Sequence, residues 1–272
     1  MKQSLKDILV VCDIDNTLIT DTMELPACNL EMIRLFCTLG GHFTVASGRT
    51  PASIRTAVRD VPINAPVIAC GGAMLLDTQT DAVLYAKRLN ETAATWLLNG
   101  VLEHFPEVGA EVMTGSGEIY IVNASPYTEK HIRDESLSCV WCPPGEVPSG
   151  WLKVLFAAEP QLLAQVKQYV AQQVFSDIQL VETNRVYYEI MPENVNKGEC
   201  LRLLCQKMQI PLENTVAIGD YYNDIDLLKT AGRSVAMGNA PWEVKQAAGV
   251  VTGDCRDGGV ASYLYQLIKE YT

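Results

Sequence analysis

Three short apolar runs each end on residues able to do chemistry. Residues 8–12 deliver Asp13-Ile14-Asp15-Asn16-Thr17, residues 43–46 deliver Ser47-Gly48-Arg49, and residues 215–219 deliver Asp220-Tyr221-Tyr222-Asn223-Asp224. If these runs are strands of one open α/β sheet, ligands bind beyond their carboxyl ends, so the clusters converge on one crevice. Convergence is electrostatically expensive. Two carboxylates about 4 Å apart repel by roughly 4 kcal/mol at an effective dielectric of about 20. Asp13, Asp15 and Asp220 together therefore call for a cation, a bound proton, or both. Magnesium suits this donor set of hard oxygens, with waters and a substrate phosphate completing its shell. Zinc suits it poorly, because no His lies among the clusters. Asp220, Asn223 and Asp224 stand at i, i+3 and i+4, which a helix starting there turns to one side.

Positive charge is supplied by Lys197. Asn196 precedes it as an N-cap and Glu199 follows the cap by three residues, the pattern of a capping box. The free N–H groups and positive end of such a helix favour an anion, which a lysine meets as a point charge. Ser47 and the Gly48 backbone add short donors for phosphoryl oxygens. Cation, lysine, donors and a carboxylate nucleophile are the parts of a phosphoryl-transfer site.

Taken singly, each feature has a duller meaning. Asp-x-Asp after a strand is ordinary turn chemistry, residues 220–224 suit a helix N-terminus, and one lysine is commonly solvated. Their joint order and their places at strand ends reverse that balance. Asp226, two residues past Asp224, turns away and reads as surface. Arg49 either contacts substrate or pairs with an acidic side chain. Cys139 and Cys142 form a lone CxxC with no second pair, which reads as structural thiols. His42, His104 and His131 are scattered and read as surface or packing residues. Tyr120, Tyr187 and Tyr188 line a sugar site or serve strand pairing.

The elements that must position these groups follow from periodicity. At the N-terminal end, strands at 8–12, 43–46 and 66–70 alternate with helices at 29–39, ending at Gly40-Gly41, and after Thr50-Pro51. Residues 74–76 and 83–85 then flank a β-hairpin turn. From 87 to 186 the pattern changes to strands at 118–122, 152–157, 178–182 and 186–190 around two helices, Glu91–His104 and 161–174, an α+β insert. Alternation returns with a helix from Lys197, a strand at 215–218, a helix near Asn223, a strand at 234–237 and a last helix from Val260. The expected fold is α/β: a doubly wound, mainly parallel Rossmann-like core from 1–86 and 187–272, interrupted by an α+β cap domain at 87–186.

Composition narrows the function classes. The 272 residues are 48% hydrophobic and 19% charged, with 21 Lys+Arg against 32 Asp+Glu for a net charge of −11. No basic run offers a duplex or an anionic membrane the neutralising stripe it needs, so neither nucleic acid nor membrane is an expected partner. The apolar run at 8–12 is too short for a signal segment or a membrane span. Nine scattered cysteines, several within apolar runs, read as reduced thiols and a soluble, cytoplasmic protein.

Asp13-Ile14-Asp15-Asn16-Thr17, Ser47-Gly48-Arg49, Lys197-Gly198 and Gly219-Asp220-Tyr221-Tyr222-Asn223-Asp224 together resemble the four ordered motifs of the haloacid dehalogenase superfamily. The insert between the second and third motifs, Gly238-Asn239-Ala240-Pro241 and Asp257-Gly258-Gly259-Val260-Ala261 resemble its Cof-like, subclass IIB branch. The resemblance covers nearly the whole chain. It implies that Asp13 attacks phosphorus to form an aspartyl-phosphate, and that Asp15 protonates the leaving alcohol and then activates water. It further implies Mg²⁺ held by Asp13, the Asp15 backbone carbonyl and Asp220, with Asp224 supporting the metal shell. Ile14, Ser47, Gly48, Lys197 and Asn223 would hold phosphate, and the cap would close over the site and select the substrate. The sequence departs from the family pattern at Asn16 and at Gly71-Gly72-Ala73, where Gly and Asn-Gly-Ala are frequent. The expected activity is Mg²⁺-dependent hydrolysis of a small phosphorylated metabolite such as a sugar phosphate. The rivals are a phosphotransferase or mutase using the same intermediate, a non-catalytic phosphate-binding regulator, and a dinucleotide-binding oxidoreductase. The last lacks a G-x-G-x-x-G after the first strand. Oligomeric state leaves no mark on the sequence.

Overall fold

The chain enters its fold on β1 (Leu9–Cys12), four consecutive buried residues. A run of Leu, Val, Val and Cys without polar alternation suits a parallel strand covered on both faces. The computed structural model describes residues 4–173 and 175–271. After β1 come α1 (Ala27–Thr38), β2 (His42–Val45), α2 (Pro51–Ala57), β3 (Val67–Ala69) and the hairpin strands β4 (Met74–Asp77) and β5 (Ala82–Ala86). Next follow α3 (Glu91–His104), β6 (Gly109–Thr114), β7 (Ile119–Asn123), α4 (Pro126–Glu135), β8 (Cys139–Trp141), β9 (Trp151–Ala157), α5 (Pro160–Ala171), β10 (Ile178–Asn184) and β11 (Tyr187–Pro192). The chain closes with α6 (Lys197–Met208), β12 (Thr215–Gly219), α7 (Ile225–Thr230), β13 (Arg233–Ala236), α8 (Trp242–Ala247), β14 (Val250–Val251) and α9 (Gly259–Tyr271). The helix expected at 161–174 ends on Val174, which lies outside the described residues.

Two units result. The first takes the described residues up to Gly48, Ala57–Leu84 and those from Asn196 onward; the second takes Arg49–Thr56 and Tyr85–Val195. The sequence pattern places the divisions at 86/87 and 186/187 instead. Strand β11 lies in the second unit because it pairs antiparallel with both β9 and β10.

In the first unit a five-stranded sheet runs β14-β13-β12-β1-β2, with every pair parallel. A parallel bridge between Ala46 and Ile68 leads on to the small β3-β4-β5 sheet. Strand order reverses at β1, so β1 and β12 flank the topological switch point, where a crevice opens beyond the carboxyl ends. Fully buried Leu9, Val10, Phe43, Ile218 and Val235 fill the sheet's centre. Each such side chain contributes about 1.5–3 kcal/mol relative to exposure. Both termini of the sequence thus build one sheet, as its alternating pattern predicts.

The second unit carries a six-stranded sheet, β10-β11-β9-β6-β7-β8, antiparallel except for the β7–β8 pair. Leu97 and Val101 of α3 and Leu163 and Val166 of α5 pack with Val112, Val154, Phe156 and Ile190 on one face. Side chains alternate along strands, so Glu111, Lys153 and Glu189, each one residue away from this set, point to the other face. They are buried there as ion pairs: Lys153 Nζ donates to Glu189 Oε1 at 2.6 Å, and His131 Nδ1 meets Glu111 Oε2 at 2.8 Å. Strands β6 and β8 and helix α4 are elements that the sequence pattern did not announce.

Candidate active site

Strand β1 delivers Asp13 directly. The Asp13 N–H donates to the Ile218 carbonyl at 2.8 Å, extending the β1–β12 ladder one step past the strand. The chain then folds back sharply, with the N–H groups of Leu18 and Ile19 both donating to the Ile14 carbonyl at 2.9 Å. Asn16 takes a left-handed φ of 56° in this turn, a conformation that Asn tolerates, so its departure from the family's frequent Gly is accommodated. At the far side of the turn Thr17 Oγ1 donates to Asp220 Oδ1 at 3.1 Å.

Strand β12 ends at Gly219 and hands over Asp220. The N–H groups of Asp220 and Tyr221 donate to Asp224 Oδ2 at 3.0 and 3.2 Å, which ties the loop to the short 3₁₀ turn Tyr222–Asp224 that leads into α7. Asp220 and Asp224 are buried, Asn223 is half-buried, and Asp226 is exposed as expected. Helix α6 begins at Lys197, with the Asn196 side chain accepting from the Glu199 N–H at 2.8 Å. Lys197 Nζ reaches Asp13 Oδ1 at 2.5 Å and Asp224 Oδ1 at 2.6 Å.

Two glycines make this placement possible. A Cβ on Gly198 would run into the Asp226 carbonyl, so only glycine lets the first turn of α6 lie against α7. Gly72 has a φ of +103°, and a Cβ there would collide with the Asn196 carbonyl just before Lys197. Gly72 of the 71–73 turn is thus explained by backbone contact at the start of the lysine-bearing helix.

Charge crowding dominates the electrostatics. Burial, then the nearby Asp224, push the Asp13 carboxyl well above its ordinary range, and Lys197 only partly offsets them. Burial and Asp224 likewise push Asp220 up to about 7, against the Thr17 hydrogen bond that favours its charged form. Burial pulls the Lys197 ammonium down, but Asp13 and Asp224 more than reverse this, so it is firmly protonated. One ammonium does not balance the group.

The same donors suit a cation. Asp13, Asp220 and Asp224 each place a carboxylate oxygen within 4.8 Å of the others, and all three are buried. A buried all-oxygen set in which Asp13 and Asp220 both have raised proton affinity fits a hard divalent ion such as Mg²⁺.

The remaining expected residues fall as follows. Ser47 follows β2 at the same end of the sheet as Asp13; it is buried, with its N–H donating to Ile68 and its carbonyl accepting from Gly71. Gly48 and Asp15 are half-exposed, and Ile14 is buried in the turn. Arg49 belongs to the second unit, where Nη1 donates to Ser53 Oγ at 2.8 Å and lies 3.6 Å from Glu135 Oε2. Pairing with an acid is therefore among its roles. Tyr120 packs in the second unit's core, in line with strand pairing.

For three features the sequence pattern names no specific contact. Thr17 holds Asp220. Asn239 bonds the same carboxylate. His131, read as a surface or packing residue, is buried and held between Glu111 and Glu135, at 2.8 and 3.2 Å. The His-x-x-x-Glu spacing of residues 131 and 135 on one helix was the available signal for the last.

Comparison with known proteins agrees with the geometry. The family model for haloacid dehalogenase-like hydrolases matches residues 10–264. A Streptococcus pyogenes protein provisionally named a phosphatase is 27% identical over 93% of this chain and 95% of its own length. The pyridoxal phosphate phosphatase YbhA of Escherichia coli is 25% identical, covering 94% of this chain and 97% of its own. Among solved structures, a haloacid dehalogenase-like hydrolase from Bacteroides thetaiotaomicron superposes with a TM-score of 0.86 at 23% identity, over 96% of this chain and 99% of that one.

Proposed function

The chain belongs to the haloacid dehalogenase-like hydrolases and is a phosphatase of that family, and on this premise we propose that it hydrolyses small phosphorylated metabolites through an aspartyl-phosphate on Asp13. The observation that carries the proposal is the buried meeting of Asp13, Lys197, Asp220 and Asp224, four residues from three distant stretches of chain.

In this reading an oxygen of the Asp13 carboxylate attacks phosphorus and the bond to the leaving alkoxide breaks. Asp15, two residues further on, gives the alkoxide a proton, then takes one from the water that cleaves the acyl phosphate. Lys197 balances charge on the phosphoryl oxygens, with Ser47, Asn223 and the backbone of Ile14 and Gly48 as further donors. Asp13, the Asp15 backbone carbonyl and Asp220 would hold Mg²⁺, with Asp224 in support; the ion would supply charge neutralisation for the phosphoryl group.

The substrate class rests on composition and on relatives. A strongly acidic chain without a basic stripe is poorly suited to a polyanionic polymer. Relatives include enzymes named for pyridoxal phosphate and for HMP-PP, and a fold neighbour is named a subclass IIB sugar phosphatase. The test is phosphate release from a panel of phosphorylated metabolites, with Mg²⁺ and with chelator. Wild-type protein should release phosphate only with Mg²⁺, and Asp13→Asn should release none. Mg²⁺-dependent hydrolysis by pure Asp13→Asn would overturn the mechanism.

A further inference from the structure

The sequence sets aside Gly238-Asn239-Ala240-Pro241 as a resemblance without assigned chemistry, and the structure gives its asparagine three specific bonds. Asn239 follows β13, the strand beside β12, so it stands at the same sheet end as Asp220. Its Nδ2 donates to the Asn16 carbonyl at 2.8 Å and lies 3.5 Å from Asp220 Oδ2. Its Oδ1 accepts from the Cys255 N–H at 3.0 Å. An amide offers two N–H donors and a carbonyl acceptor, and here both ends are engaged.

These bonds close a ring. Asn239 links Asn16 to Asp220 Oδ2, Asp220 Oδ1 accepts from Thr17, and Thr17 is the covalent neighbour of Asn16. Each oxygen of the Asp220 carboxylate thus has its own donor, and both donors are referred to the turn that follows Asp13. A carboxylate held at one oxygen can swing about its bonds; one held at both has a fixed plane. The third bond anchors the ring to the turn Cys255–Asp257, whose Asp254 side chain caps it through the Arg256 N–H at 3.0 Å. That turn runs straight into α9, so the C-terminal motif is tied to the site as well.

We propose that Asn239 is a positioning residue that fixes the Asp220 carboxylate against the Asp13–Thr17 turn and thereby sets the site's affinity for its divalent cation. The inference rests on the metal site of the proposed function. Outer partners of metal ligands commonly contribute about 10–100-fold to metal affinity or activity.

The test is calorimetric titration of the full chain with MgCl₂, without substrate, for wild type, Asn239→Ala, Thr17→Val and the double variant. Asn239→Ala should weaken Mg²⁺ binding by about 10–100-fold. Thr17→Val should weaken it too, and the double variant should lose less than the product of the two, because both act through one carboxylate. In a parallel phosphate-release assay, the Mg²⁺ concentration for half-maximal rate should rise in step, with excess Mg²⁺ recovering turnover. Unchanged Mg²⁺ affinity in Asn239→Ala overturns the inference, as does a loss of turnover that excess Mg²⁺ leaves uncorrected. Wild-type protein that takes up no Mg²⁺ would instead refute the metal site itself, and the inference with it.

Discussion

Substituting Lys197→Met removes one charge while keeping most of the side chain's length. The ammonium lies 2.5 Å from Asp13 and 2.6 Å from Asp224, and these side chains are 1%, 8% and 1% exposed, so water screens the group little. Without it, Asp13, Asp220 and Asp224 face one another with oxygens within 4.8 Å. Each fully charged pair at about 4 Å is worth up to roughly 4 kcal/mol of repulsion at an effective dielectric of about 20. Proton uptake relieves part of this, and removing one partner from a buried pair commonly costs about 3–5 kcal/mol. For a chain of this size about 1 kcal/mol moves the midpoint by roughly 2–4 °C, so the first unit should melt about 6–20 °C lower. The assay is scanning calorimetry in chelator and again in MgCl₂. Mg²⁺ should restore part of the loss, because a ligand held only by the folded state stabilises it by mass action. A Lys197→Met midpoint within about 2 °C of wild type in chelator would refute the electrostatic account.

Other consequences follow from the same structure. Asp15→Asn should retain the fold and lose about 10²–10⁴-fold in turnover, the usual worth of a proton relay, whereas wild-type phosphate release would remove that role from Asp15. Gly72→Ala places a methyl against the Asn196 carbonyl at a φ of +103° and should destabilise by about 1–3 kcal/mol; a denaturant midpoint equal to wild type would contradict the close approach. In the second unit, burial pulls the His131 imidazole down, but its bonds to Glu111 and Glu135 outweigh this and push it up to about 10. Burial raises Glu135, yet His131 and Arg49 bring it down to about 2. A raised folded value for His131 means its stabilisation is complete below pH 6.5 and lost as pH rises through about 10. A lowered value for Glu135 means its contribution holds above pH 4.5 and is lost as pH falls through about 2. Denaturant titrations should therefore show His131→Gln flattening the alkaline fall in stability, and an unchanged alkaline slope would show that His131 is not its source.

The parts of the fold that were legible in the sequence are those where one signal stands alone. Residues 8–12 and 215–219 are unbroken apolar runs, and an open sheet delivers its chemistry from carboxyl ends, so the meeting of Asp13 with Asp220 follows from order and spacing. Lys197 was readable because Asn196 and Glu199 mark a helix start. Helix α4 was not readable: Pro126–Glu135 has almost no apolar residues, and its buried side chains are Thr128 and His131. Strand β6 hides a buried Glu111 in its middle, so its alternation looks broken, although all six of its residues are buried. The charge it carries is satisfied by His131 from another element, a pairing that local pattern cannot display. Asn239 escaped for a related reason: an exposed asparagine in a Gly-Asn-Ala-Pro turn looks like ordinary turn chemistry, and only the fold brings Asn16 and Asp220 within its reach.

The most direct measurement is chemical trapping of the covalent step. Protein quenched during turnover of a phosphomonoester in Mg²⁺ and reduced with borohydride converts an acyl phosphate into the corresponding alcohol, which peptide mass spectrometry locates. The reduced side chain should appear at position 13 alone, and only when substrate is present. Reduction at a different carboxylate, with the Asp13 peptide unmodified under steady phosphate release, would contradict the account.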